Sequence, residues 1–97
     1  MIAQGDIVVA DLGGETREFA LVVSNIRFHR LAERALVAPE IRVQQTTTRQ
    51  PWHIAIDGRV FALDALQSIR VERALEQAGR AGTSQLATLR TALMRIL

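Results

Sequence analysis

Residues 19–23 form a continuous apolar run, Phe-Ala-Leu-Val-Val, which has the length of a β-strand and ends at Ser24-Asn25. A strand with one face in water alternates apolar and polar residues, and this run shows no such alternation. We therefore predict a strand that is buried on both faces. A chain of 97 residues is too short for two domains that each fold around a core of their own, so we expect one domain over residues 1–97.

Other short segments also have the composition of strands. They are Ile7–Ala10; Leu36–Ala38, which we expect Pro39 to end; Trp52–Ile56 and Arg59–Phe61, which flank Asp57-Gly58; and Leu66–Val71. Asp-Gly between two apolar segments is a strong signal for a tight hairpin. Residues 11–15 and 44–50 are predicted to be surface loops. Residues 27–34 mix Arg, His, Leu and Glu, which is compatible with a short helical turn or a polar loop.

The periodicity changes after Gly79 and Gly82. Thr83 or Ser84 can cap a helix, and apolar side chains then recur at spacings of three and four residues. That stripe consists of Leu86, Leu89, Leu93 and Ile96, with Leu97 beside it, and it should pack on the sheet. Five or six short strands and one C-terminal helix predict a mainly β (α+β) fold, a small SH3-like barrel of antiparallel strands.

The basic residues are all arginines: the chain has twelve Arg and no Lys, against ten acidic residues, and its net charge is +2. Arginine holds phosphates through paired N–H bonds, but the acidic residues restrict any nucleic-acid surface to a local patch. Cysteine is absent, which excludes a disulfide framework and a thiolate zinc site. There is no basic leader and no apolar run near 18 residues long, about the minimum for a membrane span, so we expect a cytoplasmic protein that contacts no membrane.

Five short motifs follow one another along the chain. Gly5–Leu12 is similar to GDIxxxDL, Leu21–Asn25 to LVVSN, Leu36–Pro39 to a VAP strand, Pro51–Ile54 to P-x-H/W-V, and Leu63–Ile69 to LDQIRTI. In this order they resemble the MazF/PemK-type toxins of type II toxin–antitoxin systems, over nearly the whole chain. Each motif alone is a weak signal, and the five in sequence are fairly specific.

The resemblance implies a barrel of the MazF/CcdB type that forms a two-fold homodimer. It implies a metal-independent endoribonuclease without a cofactor, which cleaves single-stranded RNA at short sequences. It also implies a cognate antitoxin, and the local density of arginines suggests that this partner binds through an acidic, disordered tail. Two histidines without clustered carboxylates make a zinc site improbable.

Cleavage through the 2′-hydroxyl of the RNA needs a base, an acid and a cation or other donors for the phosphate. The family carries an Arg just before its second strand, a place that falls on Glu18 here, and a one-residue shift of the loop brings Arg17 to it. We predict that Arg17 stabilises the phosphate and that Thr46, Thr47 or Thr48 donates a further hydrogen bond. The alternative for Arg17 is a solvated loop residue paired with Glu15 or Glu18.

Contacts to RNA are predicted from six further residues. They are Arg42 and Arg49, which flank the Gln/Thr loop, His29, Trp52, Asp64, and Gln67, which replaces an Arg of the family motif. Five of them have a structural alternative: the arginines as solubilising charges, His29 as an exposed loop residue, Trp52 as a core residue and Asp64 as a turn residue. Charge and composition do not choose between the two sets of roles.

Two other functions remain open. The fold is shared with CcdB-like poisons of DNA gyrase, and Arg17-Glu18-Phe19 resembles their strand entry, whereas Arg95-Ile96-Leu97 differs from the Trp-Gly-Ile ending expected for that activity. The third possibility is an inactive family member that binds only an antitoxin or nucleic acid. Mapping of RNA 5′ ends distinguishes the three.

Overall fold

The computed structural model describes residues 1–42 and 50–96. Its elements are β1 (Asp6–Ala10), β2 (Glu18–Val22), α1 (Ile26–Ala32), β3 (Arg34–Ile41), β4 (His53–Ile56), β5 (Arg59–Ala62), β6 (Gln67–Arg70), β7 (Ala74–Arg80) and α2 (Thr83–Ile96), with single 3₁₀ turns at Leu63–Ala65 and Val71–Arg73. The strand pairs are antiparallel, in the order β4-β5-β3-β2-β1-β7, and β6 also pairs with β3. The predicted mainly β fold with a C-terminal helix is confirmed.

Strand β2 lies between two apolar cores, as its unbroken apolar run predicts. Leu21 and Val23 face one core, and Ala20 and Val22 face the other. The first core lies between the sheet, the β4–β5 hairpin and α2, and its buried members are Ile7, Leu21, Val23, Ala38, Ile54, Ile56, Phe61, Leu63 and Leu89. The second contains Val8, Ala10, Ala20, Val22, Ala35, Val37 and Ile69. The prediction of burial on both faces is therefore confirmed.

The second core lies inside a curl of the sheet. Strands β6-β3-β2-β1-β7 are neighbours in that order, and the short turn Val71–Arg73 joins β6 directly to β7. The two ends of this five-strand path are thus tied together, which bends the sheet into a half-barrel. The outer edge of β6 faces the chain that leaves β1 at Asp11 and Leu12, and we call the space between them the seam.

Pro39 does not end the third strand, and that prediction was wrong. The Val23 N–H donates to the Leu36 carbonyl, so alternate residues of β3 turn their backbone groups toward β2 and Pro39 turns away from it. On that side β6 stops opposite Val37 and β5 starts opposite Glu40. Pro39 therefore lies between these two pairings, and a strand tolerates a residue without an N–H at such a point.

Strand β7 makes seven strands in the described residues, against the five or six predicted. Its sequence, Ala-Leu-Glu-Gln-Ala-Gly-Arg, is mostly exposed and poor in β-branched residues, so propensity does not reveal it. Pairing with β1 imposes the extended conformation, with two shifts of register along the pair. At its end Arg80 Nε lies 3.0 Å from Oδ1 of the buried Asp6, whose Oδ2 accepts from the Ala3 N–H at 2.9 Å.

The local signals of turns and helix ends mostly agree with the structure. Asp57 and Gly58 both have positive φ, 53° and 76°, as a tight hairpin of this type requires. The 27–34 segment, left open between two conformations, contains the helix α1: Asn25 caps it by accepting from the Phe28 N–H, and Glu33 ends it with a left-handed φ of 55°.

Helix α2 covers the first core. Leu89 is fully buried, and Leu86 and Leu93 pack against the same core, as the predicted stripe requires. Ile96, at the end of the helix, is 41% exposed, and Leu97 lies outside the described residues. No helix in residues 1–42 or 50–96 has the length and apolarity of a membrane span.

Candidate nucleic-acid interface

Arg17 is exposed and directly precedes β2. The register from Ile7 opposite Leu21 to Ala10 opposite Glu18 is regular, so Glu18 holds the first strand position and Arg17 belongs to the loop. Neither the Glu15 nor the Glu18 ion pair considered for Arg17 occurs in the structure, which records no hydrogen bond or ion pair of Arg17 with any described residue. The guanidinium is therefore available to a ligand.

The start of β2 and the end of β3 lie at the same end of the sheet. Ala20 lies opposite Pro39, and continuing this antiparallel register brings Arg17 level with Arg42, which is also exposed. Two predicted phosphate contacts that are 25 positions apart in the sequence thus share one end of the barrel. Thr46, Thr47, Thr48 and Arg49, which follow Arg42 in the chain, lie outside the described residues.

A stacked arginine fixes this end of the sheet. The Arg59 guanidinium carbon lies 3.5 Å from the centre of the Phe19 ring, and Arg59 Nη1 lies 2.9 Å from Glu40 Oε2. These contacts connect β2, β3 and β5. Phe19 follows Arg17 by two residues and Glu40 precedes Arg42 by two residues, so the cluster lies next to both exposed arginines in the chain. No pattern in the sequence indicates this cluster, since its members come from three separate strands.

Gln67, another predicted contact, lines a cavity of about 220 Å³ at the seam. The other lining residues are Asp11, Leu12, Arg34, Ser68, Ile69, Arg70 and Arg73. Three arginines thus face a single carboxylate, Asp11, whose Oδ1 lies 3.7 Å from Arg73 Nη1 and also accepts from the Gly13 N–H at 2.9 Å. Asp11 begins the loop that ends at Arg17, so the cavity adjoins the root of that loop. Arg34, Arg70 and Arg73 were not among the predicted RNA contacts, because the register of β6 cannot be read from the sequence.

His29 is 4% exposed, so the expectation of an exposed loop histidine was wrong. Its Nδ1 lies 3.1 Å from the Ile2 carbonyl, which can only accept, so in the neutral ring Nδ1 carries the proton. Nε2 then accepts from the Ser24 hydroxyl at 2.6 Å, and Ser24 Oγ accepts from the Leu36 N–H. Both ring nitrogens are engaged within the protein, so neither is available to hydrogen-bond RNA.

Trp52 and Asp64 lie near each other on the surface. The Leu63 N–H donates to the Trp52 carbonyl at 2.9 Å, which places the turn carrying the exposed Asp64 beside Trp52. Trp52 is 37% exposed, so it is not a core residue, and its ring meets that of the half-buried His53 edge-on. The described residues contain no group of three or more His, Asp or Glu side chains placed to hold a metal ion.

Comparison with known proteins identifies the family of the chain. A profile of the PemK-like, MazF-like toxins of type II toxin–antitoxin systems matches residues 3–97. The chain belongs to this family. A search of curated protein sequences finds no match.

Solved structures of MazF-like toxins share the fold. A mycobacterial endoribonuclease has a TM-score of 0.75 at 17% identity, over 97% of this chain and 88% of the other. A mycobacterial endoribonuclease in complex with its cognate antitoxin has a TM-score of 0.75 at 16% identity, with coverages of 97% and 90%. A MazE–MazF complex from Deinococcus radiodurans gives 0.75 at 21% identity, with coverages of 98% and 93%. These identities are low, so the likeness extends to the barrel and not to individual site residues.

Proposed function

We propose that this MazF-like toxin is a metal-independent endoribonuclease that cleaves single-stranded RNA through attack of the RNA's own 2′-hydroxyl. The family match over residues 3–97 carries the proposal. The shared end of β2 and β3 supports it, because Arg17 and Arg42 are both exposed there and can face one phosphate backbone. The endoribonuclease neighbours are proteins of the same fold.

The reaction requires three roles at the scissile phosphate. A base removes the 2′-proton as the 2′-oxygen attacks phosphorus, donors stabilise the phosphate charge, and an acid protonates the 5′-oxygen as its bond to phosphorus breaks. The products carry a 2′,3′-cyclic phosphate and a 5′-hydroxyl. Arg17 stabilises the charge that spreads over the phosphoryl oxygens, and a hydroxyl of Thr46, Thr47 or Thr48 donates to the same oxygens.

Other residues position the RNA. Arg42 and Arg49 contact phosphates, which fixes the strand without reading its sequence. Asp64 and Gln67 offer hydrogen bonds to base edges, and the exposed Trp52 beside Asp64 offers a ring on which a base can stack. His29 is left out of this site because its ring is buried.

The proposed partners are a second copy of the chain and a cognate antitoxin. Two of the solved structures with this fold are complexes of such a toxin with its antitoxin. An acidic, disordered tail that folds on contact is the partner that an arginine-bearing surface attracts. Its carboxylates would occupy the positions of RNA phosphates near Arg17 and Arg42.

The deciding experiment is cleavage of single-stranded RNA by the purified protein, in the presence of a metal chelator, with mapping of the new 5′ ends. We expect cuts at a short recurring sequence that leave 5′-hydroxyl groups. If RNA stays intact and gyrase–DNA complexes accumulate on expression, the protein is a CcdB-like poison. If neither occurs and growth is unaffected, it is an inactive family member.

A further inference from the structure

The seam carries two arginines that face each other without a counter-ion. Arg34 on β3 lies directly opposite Arg70 on β6. Leu36 turns its backbone groups toward β2, and Arg34, two residues earlier on the same strand, does the same. Arg34 therefore makes no backbone hydrogen bond to β6, and the Arg34–Arg70 pair is of the closely spaced, non-hydrogen-bonded type. Like charges directly opposite each other destabilise a sheet. Among residues 1–42 and 50–96, neither guanidinium forms an ion pair. Both arginines also line a neighbouring cavity together with Glu33 and Glu72, and neither of these carboxylates lies within ion-pair distance.

Arg34 is held in place by the strand it crosses. Its Nε lies 2.7 Å from Ser68 Oγ and its Nη2 lies 2.7 Å from the Ser68 carbonyl oxygen. Ser68 turns its backbone groups away from β3, so Arg34 must reach over β6 to the outer edge, where the cavity opens. These bonds fix one side of the guanidinium and leave its remaining N–H groups to donate into the cavity.

The cavity has the composition of an anion site. Arg34, Arg70 and Arg73 approach it from β3, β6 and the turn after β6, and among the described residues that line it Asp11 is the only carboxylate. Guanidinium groups that converge from several directions suit an anion with oxygens on several sides, as in a phosphodiester. The cavity is open to solvent beside the root of the loop that carries Arg17, where an RNA strand would pass.

We infer that Arg34, Arg70 and Arg73 form a second phosphate-binding site at the seam, which takes a backbone phosphate of single-stranded RNA away from the scissile bond. This inference rests on the proposed RNA cleavage for the identity of its ligand. The site positions RNA without selecting a sequence, because it contacts phosphate. Its occupation removes the repulsion between the paired arginines, so RNA also stabilises the β3–β6 contact.

The test measures binding of a short 2′-O-methylated single-stranded RNA of random sequence, which lacks the nucleophile and stays intact. We expect Arg70→Gln, and separately Arg34→Gln, to raise Kd roughly tenfold, as loss of one charge-assisted contact does. The slope of log K against log salt should fall by about 0.7 for one lost phosphate contact to a single strand. Arg27→Gln, the same charge change in the first turn of α1, should alter neither value. Arg70 forms no hydrogen bond with any described residue, so its variant keeps the fold.

Two further measurements separate the possible outcomes. Inorganic phosphate should compete with the RNA for the wild-type protein and compete less well for Arg70→Gln. Weaker binding of a poly-glutamate peptide with unchanged RNA binding would overturn the inference, as would equal effects of Arg70→Gln and Arg27→Gln. Cleavage of unmodified RNA by the wild-type protein is measured in parallel. If the wild type does not cleave but the seam variants still weaken RNA binding, the nuclease proposal fails and the phosphate site stands.

Discussion

Arg17 is exposed in a loop that a regular strand pairing leaves outside β2, so its side chain contributes little to folding. We predict that Arg17→Ala lowers the cleavage rate at least about 100-fold, the effect of removing one donor to a developing phosphate charge. The midpoint of thermal unfolding should stay unchanged. Arg27→Ala, which removes another exposed arginine, is the matched control. If Arg17→Ala cleaves RNA at the wild-type rate, another group stabilises the phosphate.

Asp6 presents the opposite case, a charged residue that contributes to stability and not to the proposed chemistry. Its carboxylate is 1% exposed and accepts from Ala3, Gln77 and Arg80. Asp6→Ala leaves these donors without an acceptor and should lower the free energy of unfolding by about 2–4 kcal/mol in urea denaturation. Arg80→Ala should cost below about 1 kcal/mol, because that side chain is largely exposed. Equal losses for the two variants would contradict this assignment.

At the level of elements, strands were predictable where one segment of sequence determines the outcome. The apolar run of β2 and the Asp57-Gly58 hairpin are examples, because a few consecutive residues are enough to predict the burial of the one and the turn geometry of the other. The continuation of β3 through Pro39 depends on a gap between β5 and β6, and the extended form of β7 depends on β1. Neither dependence can be read from a single segment, because it involves a pairing with distant residues.

The same limit applies to the candidate site. Arg17 and Arg42 could be proposed from the sequence, but their shared position follows only from the register of β2 with β3. The buried state of His29 depends on bonds to Ser24 and to Ile2, 27 positions away. The facing of Arg34 and Arg70 depends on the β3–β6 register, so no charge pattern in the sequence indicates the seam.

The contribution of helix α2 to the stability of the first core can be measured by substitutions in the helix. Leu89 is 0% exposed in that core, whereas Met94, on the same helix, is 82% exposed. We predict that Leu89→Ala lowers the free energy of unfolding by about 2–5 kcal/mol through loss of buried contacts and a residual cavity. Met94→Ala should change it by at most about 0.5 kcal/mol. Chemical denaturation of both variants checks this, and a small effect at Leu89 would mean that α2 packs loosely.

For the whole molecule, the family resemblance implies a two-fold dimer. Light scattering should give twice the 10.7 kDa mass of one chain, and the thermal midpoint should rise with protein concentration, since association stabilises the folded state. Dilution provides the control, because a dimer must dissociate at low concentration. A mass of one chain at every concentration, with a constant midpoint, would show that the barrel is stable and complete as a monomer.

The two ends of the chain meet in the folded protein. Asp6 bonds Arg80, and the Gln4 side chain accepts from Arg90 Nε at 3.0 Å, contacts that join residues 74 and 86 positions apart. During synthesis on the ribosome, β1 emerges well before β7 and has no such partner until residues 74–80 have been made. The half-barrel can therefore close only after β7 has emerged, so a shorter nascent chain has neither the completed sheet nor the seam.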